Sequence, residues 1–271
     1  MKVKLLRMTE TPIDVMWVAA RTCYSEKSPI EMWEERYPNI LREAEEYDER
    51  TWKIREEKQE KMWNLVKKVI ESKHESICEH VSFTFAVEGV SRALLAQLTR
   101  HRTGIVFSVM SQRYVEIKES QEELEELFNS DDYNPKNYKE SKIGQIFEKY
   151  FTENEFKNVN GYYSALDNYL YAIKQGEKPE DARRFLPNAT KTNLVMTINL
   201  RELMHVSNLR LCTRSQHEIR QLFRLIRQEI NGVEPKLATL LVPSCEANHG
   251  ICFEHKSCGK YPAVKEVMKE V

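Results

Sequence analysis

No stretch of the 271-residue sequence approaches the roughly 20 consecutive apolar residues a bilayer-spanning helix requires, so a membrane-spanning helix is not expected. Nor is there the charged and apolar patterning of a secretory signal: Met1-Lys2-Val3 opens a strand-like segment, and residence in the cytoplasm is expected. An excess of one charge is missing too. With 41 Lys and Arg against 42 Asp and Glu, the chain lacks the bulk basicity of a nucleic-acid-binding domain. Repeats, low-complexity linkers and composition breaks are absent, which favours one α/β domain over residues 1–271. Six cysteines in a chain of this length are too sparse for a disulfide framework, and a reducing compartment keeps them as thiols. Cys245, Cys252 and Cys258, with His249 and His255 among them, offer soft ligands in a Cys-rich tail over 243–271. Their spacing is not one of the common structural-zinc patterns, and no metal is assigned.

What is present is the 31% charged, 41% apolar profile of a water-soluble globular protein. Val3 to Met8 reads as a strand, and Thr11-Pro12 as the cap and first turn of a helix. Alternating Glu, Lys and Arg make a charged helical insertion over about 26–60, a solvated face held by i to i+4 pairs. The period-two pattern of His80 to Val87 gives a strand, after which Ser91 caps a helix through Leu98. An exposed loop over 129–139 precedes a long amphipathic helix from about 143 to 175. A buried strand from Asn193 to Leu200 then leads into helices over 201–210 and 216–230. The fold expected is a central mixed β-sheet flanked by long helices with helical insertions.

The chemistry concentrates in Arg100-His101-Arg102 and, eight residues on, Ser111-Gln112-Arg113-Tyr114. Adjacent like charges are unfavourable unless an anion is to be bound. Helical continuation would place Gln97, Arg100 and His101 on one face. Arginine's planar fork suits a phosphate, and Ser111 can add a hydroxyl donor. The alternative, a basic triplet complementing a helix carboxyl end, would be satisfied by a single charge. A second set lies downstream in Arg183-Arg184 and in the stripe Leu203, Val206, Arg210. That stripe turns a guanidinium inward, where it needs a structural carboxylate such as Glu202 or Glu218, or a ligand. Asn199 and His205 stand near it. Two other readings remain open at this level. A nucleic-acid patch interleaved with Phe107 and Tyr114 would bind with a steep salt dependence, and a zinc-organised interaction protein would unfold on chelation.

These segments together resemble the flavin-dependent thymidylate synthases. The family's R-H-R, spacer, S-x-R-Y signature stands here as Arg100-His101-Arg102 and Ser111-Gln112-Arg113-Tyr114; its H-E-[ST]-x-x-E-H segment as His74 to His80; its A-R-x-x-L-P as Ala182 to Pro187. Its paired N-x-R motifs stand as Asn199-Leu200-Arg201 and Asn208-Leu209-Arg210, and Ala20 to Ser25 looks like its N-terminal motif. The resemblance implies reductive methylation of dUMP to dTMP, with methylene-tetrahydrofolate as carbon donor and FAD, reduced by NADPH, as hydride carrier. It also implies a homotetramer with sites between subunits, and no covalent cysteine nucleophile. By the same resemblance Ser76, Arg100, His101, Arg102, Asn199, Leu200, Arg201 and His205 contact FAD. Gln97, Leu98, Thr99, Arg100, Ser111, Gln112, Arg113, Arg183 and Arg210 hold dUMP, and Arg210 promotes ionisation of uracil N3. Val109 replaces a glutamate of many relatives, and His205 replaces an asparagine.

Overall fold

The structure, a computed structural model, describes residues 1–35, 49–128, 141–152 and 159–268. In chain order its main elements are β1 (Lys2–Met8), α1 (Pro12–Thr22), α2 (Glu49–Glu71), β2 (Ser82–Ser91), α3 (Arg92–Leu98), β3 (Ile105–Val109), α4 (Gln121–Phe128), α5 (Lys142–Tyr150), α6 (Val159–Lys174), β4 (Lys191–Asn199), α7 (Leu200–Arg210) and α8 (His217–Asn231). Local chemistry sets their starts. Pro12 occupies the first turn of α1, where a missing N–H costs nothing. Side-chain oxygens cap several later helices: among them, Ser91 accepts from Leu94 N–H at 2.9 Å, Ser141 from Gly144 N–H at 3.1 Å, and Asn199 from Glu202 N–H at 2.9 Å.

The strands form one sheet in the order β1-β2-β4-β3. Its register corrects the expectation of a mixed sheet. Thr9 N–H donates to Ser82 O at 3.0 Å, so the end of β1 meets the start of β2. Thr84 and Thr197 hydroxyls lie 2.9 Å apart while Gly89 N–H donates to Asn193 Oδ1 at 2.9 Å, so β2 and β4 run oppositely. Asn199 N–H donates to Gly104 O and Met110 N–H to Asn193 O, both at 2.9 Å, which sets β3 antiparallel to β4. The physical reason was legible: Phe83, Phe85 and Val87 are buried while their neighbours are not, and such alternation belongs to antiparallel sheets with one solvated face.

The chain divides into two compact units, Met1–Val3, Ala86–His101 and Phe107–Met196 in the first, and Lys4–Phe85, Arg102–Val106 and Thr197–Val271 in the second. Within the first, α4, α5 and α6 enclose a core of Leu124, Ile143, Phe147, Phe151, Leu166 and Tyr169. The single helix expected over 143–175 is two helices here. Phe151 turns extended and bridges Thr190, which ends α5. The loop expected over 129–139 lies outside the described residues.

Within the second unit α1 packs on α2, burying Ile13 and Met16 with Trp63, Val66 and Ile70. Helix α8 buries Ile219, Leu222, Phe223, Ile226 and Ile230 at three- and four-residue spacing. Of the charged insertion over 26–60, residues 29–35 and those from Glu49 on are helical, while 36–48 lie outside the described residues. Among the described residues no helix is long and apolar enough to cross a membrane.

Candidate active site

In the first unit, α3 is fixed at its start by the Ser91 cap and closes after only seven residues. Arg100 N–H donates to Gln97 O at 3.3 Å and His101 N–H to Leu98 O at 3.1 Å. Those i to i−3 contacts belong to a turn, so the regular helix ends before Arg100, while Gln97 and Arg100 remain at i and i+3, a spacing that such a turn keeps on one side. Arg100 and Thr99 are exposed, Gln97 is half-buried, and Leu98 and His101 are buried. Arg100 has no side-chain hydrogen bond or ion pair among the described residues.

Further along this unit, Ser111 Oγ accepts from Arg113 N–H at 3.2 Å, closing a tight turn that leaves the hydroxyl proton for a ligand. Gln112 is half-buried beside it. Arg113 Nε is 2.7 Å from Glu180 Oε2, so its guanidinium is already matched within the chain. Arg183, in the 3₁₀ turn Arg183–Phe185, is exposed with no side-chain partner among the described residues. Its charge reaches Arg92, whose guanidinium is lowered first by burial and then by Arg183. Arg92 was missed by sequence reasoning; its signal was a charged residue directly after the cap of an otherwise apolar helix.

In the second unit the 3₁₀ turn Glu75–His80 packs on α7, and Leu200 N–H donates to Val81 O at 2.8 Å. This brings exposed Ser76, the cap Asn199 and Arg201 to one end of α7. Arg201 is held by Glu79 and approaches Glu75 at 4.0 Å, so its charge is stabilised first by the Glu79 hydrogen bond. Leu200 is fully buried, leaving its main chain as its contribution. His205 is exposed one turn along α7, near Glu202, whose carboxyl is pushed up by burial against an opposing influence from His205. Arg102 is exposed with no side-chain partner among the described residues.

Gly104 is the second residue missed. Its φ is +67°, and a Cβ placed there would stand 2.8 Å from Asn199 Cγ. The glycine lets β3 approach the α7 cap, and its signal was a lone glycine between the basic triplet and a strand.

Arg210 ends α7 half-buried, on the stripe whose Leu203 and Val206 are completely buried. Around the turn that follows lies a cavity of about 650 Å³, lined by Asn208, Cys212, Arg224, Cys245, Cys252 and Cys258 among others. Asn208 Oδ1 is buried there without a hydrogen-bond partner among the described residues. Among the described residues no group of His, Cys, Asp or Glu is gathered to hold a metal ion.

The thiols differ sharply. Burial, aided by Glu75, pushes Cys78 up to about 12, and burial raises Cys245, whereas a hydrogen bond with Thr213 lowers the exposed Cys258. Iodoacetamide near neutral pH is therefore expected to label Cys258 before Cys245 and to leave Cys78 unlabelled until the protein unfolds, because the thiolate is the nucleophile. Peptide mapping reads this order; Cys78 labelled as fast as Cys258 in the native protein would contradict it.

Against known proteins, the family described as thymidylate synthase complementing protein matches residues 4–236. Flavin-dependent thymidylate synthases of Clostridium tetani and Geobacter sulfurreducens are 36% and 32% identical, over 98% and 100% of this chain and 96% and 99% of their own lengths. In fold, the chain is similar to the crystal structure of the Helicobacter pylori flavin-dependent thymidylate synthase complexed with FAD and dUMP. That likeness has a TM-score of 0.63 and 23% identity, over 89% of this chain and 100% of that one. With the motif residues at strand ends and helix caps, and relatives alike along nearly their whole length, the chain belongs to the flavin-dependent thymidylate synthase family.

Proposed function

We propose that this chain, acting as one catalytic domain, methylates dUMP to dTMP, with methylene-tetrahydrofolate as carbon donor, FAD as cofactor and NADPH as reductant. The observation that carries the reading is that Arg100, Arg102 and Arg183, arginines at family motif positions, have no acidic partner among the described residues. Such guanidiniums fit anionic ligands, and FAD, dUMP and folate are all anionic. The second unit's residues fit a flavin nucleotide. Arg102 has a free fork, exposed Ser76 and His205 add polar contacts, and Gly104 keeps the main chain open beside Asn199. With Arg100, His101, Leu200 and Arg201 these residues would hold FAD, which when bound and reduced supplies the hydride. Gln97, Leu98, Thr99, Arg100, Ser111, Gln112, Arg113, Arg183 and Arg210 would hold dUMP.

Methylation at C5 of uracil needs electron density at that carbon. Arg210 stabilises the charge left when N3 loses its proton, and its own proton is essentially never released, so it acts by electrostatics. No cysteine takes part as nucleophile, a reading supported by the raised Cys78 and Cys245 thiols. Arg113 and Arg201 already answer carboxylates. Convergence of enough cations on three anionic ligands is therefore best met by a homotetramer, in the cytoplasm, with sites shared between subunits.

The purified protein's visible absorbance tests the reading. A flavin spectrum that bleaches anaerobically with NADPH, and changes rate with dUMP, supports it. Protein that stays colourless after incubation with excess FAD and binds no dUMP overturns it, and a salt-sensitive nucleic-acid patch becomes the reading to test.

A further inference from the structure

We infer that the cavity beside α7 is a thiol–disulfide exchange site, in which Cys258 takes up a low-molecular-weight disulfide and Cys212 resolves it into a bond tying the tail to the turn after Arg210. Four of the six cysteines line this one cavity of about 650 Å³: Cys212 on the turn after α7, and Cys245, Cys252 and Cys258 on the tail. The fold holds these two segments together. The short helical turn Ser244–Ala247 packs on α7, and Lys260 meets Glu246 at 2.5 Å across the tail. Arg214 donates to Lys256 O at 2.6 Å and stands 3.6 Å from Glu254. Cys212 lies two residues before Arg214 and Cys258 two residues after Lys256, so that hydrogen bond brings their two stretches of chain side by side.

The surroundings of each thiol set its role. Cys258 is exposed on a turn closed by Ser257 Oγ, which accepts from Gly259 N–H at 3.0 Å. Its hydrogen bond with Thr213, the residue after Cys212, favours the thiolate. Burial disfavours that form in Cys245. Cys252 is buried and fixed through its main chain, its N–H donating to Pro262 O at 2.9 Å and its carbonyl accepting from Val264 N–H at 3.0 Å. Cys258 is therefore the attacking sulfur, and half-buried Cys212 the resolving one. An accessible, readily ionised thiol beside a second cysteine is the disposition that makes a protein sensitive to oxidation.

The exchange is separate from the methylation chemistry and needs a disulfide as oxidant, for which glutathione disulfide serves. The Cys258 thiolate attacks one of its sulfurs, the S–S bond breaks, and one glutathione leaves and takes up a proton. The Cys212 thiolate then attacks Cys258 Sγ and expels the second glutathione, which takes up the other proton. Two protein thiols lose two electrons, and one glutathione disulfide becomes two thiols. Closing the bond draws the turn Leu211–Thr213 toward the tail, and with it the end of α7 that carries Arg210. This last consequence rests on the dUMP reading above; the exchange itself does not.

The test is peptide mapping of the reduced, flavin-loaded protein after incubation with glutathione disulfide and capping of the remaining thiols with iodoacetamide. Trypsin places Cys212 in Leu211–Arg214, Cys258 in Ser257–Lys260, and Cys245 and Cys252 together in Leu237–Lys256. The expected product joins the first two peptides. Cys212→Ser should stop at a glutathione adduct on Cys258, and Cys258→Ser should lose the Cys212 thiol about 10-fold more slowly, since the rate follows the attacking thiolate. A bond to the Leu237–Lys256 peptide, an adduct left standing on Cys258 in the wild type, or no oxidation of Cys212 and Cys258 overturns the inference. The wild-type map decides this even if a variant does not fold. Because a catalytic group misplaced by about 1 Å costs on the order of 100-fold, the oxidised protein should form dTMP about 10- to 100-fold more slowly, with dithiothreitol restoring the rate. Cys258→Ser should keep its rate in glutathione disulfide, which separates the effect from adducts on exposed Cys23. Equal turnover of oxidised and reduced wild type overturns the link to Arg210, whereas a protein that forms the bond but binds no dUMP overturns the dUMP reading alone.

Discussion

Replacing Arg210 by Ala is expected to lower dTMP formation by about 10²- to 10³-fold, the usual cost of removing one preorganised electrostatic donor. The fold and the bound flavin should survive. Arg210 is the last residue of α7, and the helix is anchored one and two turns earlier by Val206 and Leu203, both completely buried. Truncation at the half-buried end removes a charge and spares the packing. Arg210→Lys should recover little, because an ammonium is a point charge that cannot lay a planar fork along a pyrimidine amide. Conversion of labelled dUMP, with the flavin spectrum as a control for folding, reads the outcome. A variant that turns over at the wild-type rate removes Arg210 from the mechanism.

Gly104→Ala should cost about 2–4 kcal/mol of stability, combining a left-handed backbone imposed on a residue with a Cβ and an overpacked contact. The added Cβ would press on Asn199, whose Oδ1 accepts from Glu202 N–H at 2.9 Å to start α7 and whose N–H donates to Gly104 O. Neither partner can yield without breaking the cap or the strand pairing. The variant should therefore lose FAD along with stability. Denaturant unfolding followed by fluorescence measures the first effect and flavin retention after gel filtration the second. Wild-type values for both would show that β3 and the α7 cap tolerate separation.

Signals that live within a few residues were readable from the sequence. Ser91 caps a helix as its type suggests, Pro12 opens one, and period-two burial marks β2. The basic motifs were legible for a different reason, since clustered arginines conflict with one another until an anion is supplied. What escaped depends on distant partners. No proline or glycine announces the break after Tyr150, because Phe151 is turned by its bridge to Thr190. The end of α3 after Leu98 could not be read from Gln97, Arg100 and His101, whose spacing fits a helix as well as the observed turn. Glu79 and Glu180 claim Arg201 and Arg113 across long sequence separations, so which arginines stay available for ligands emerged only in three dimensions. The cavity beside α7 needs the Cys-rich tail to fold back on Cys212, which spacing alone does not disclose.

The most direct measurement is a single-turnover experiment. Protein loaded with FAD is reduced anaerobically, freed of excess reductant, and mixed with labelled dUMP and methylene-tetrahydrofolate. The account predicts dTMP in proportion to the reduced flavin, with the flavin spectrum returning on the same timescale and no product when either substrate is omitted. Reduced, dUMP-bound protein that forms no dTMP in the presence of methylene-tetrahydrofolate would contradict it.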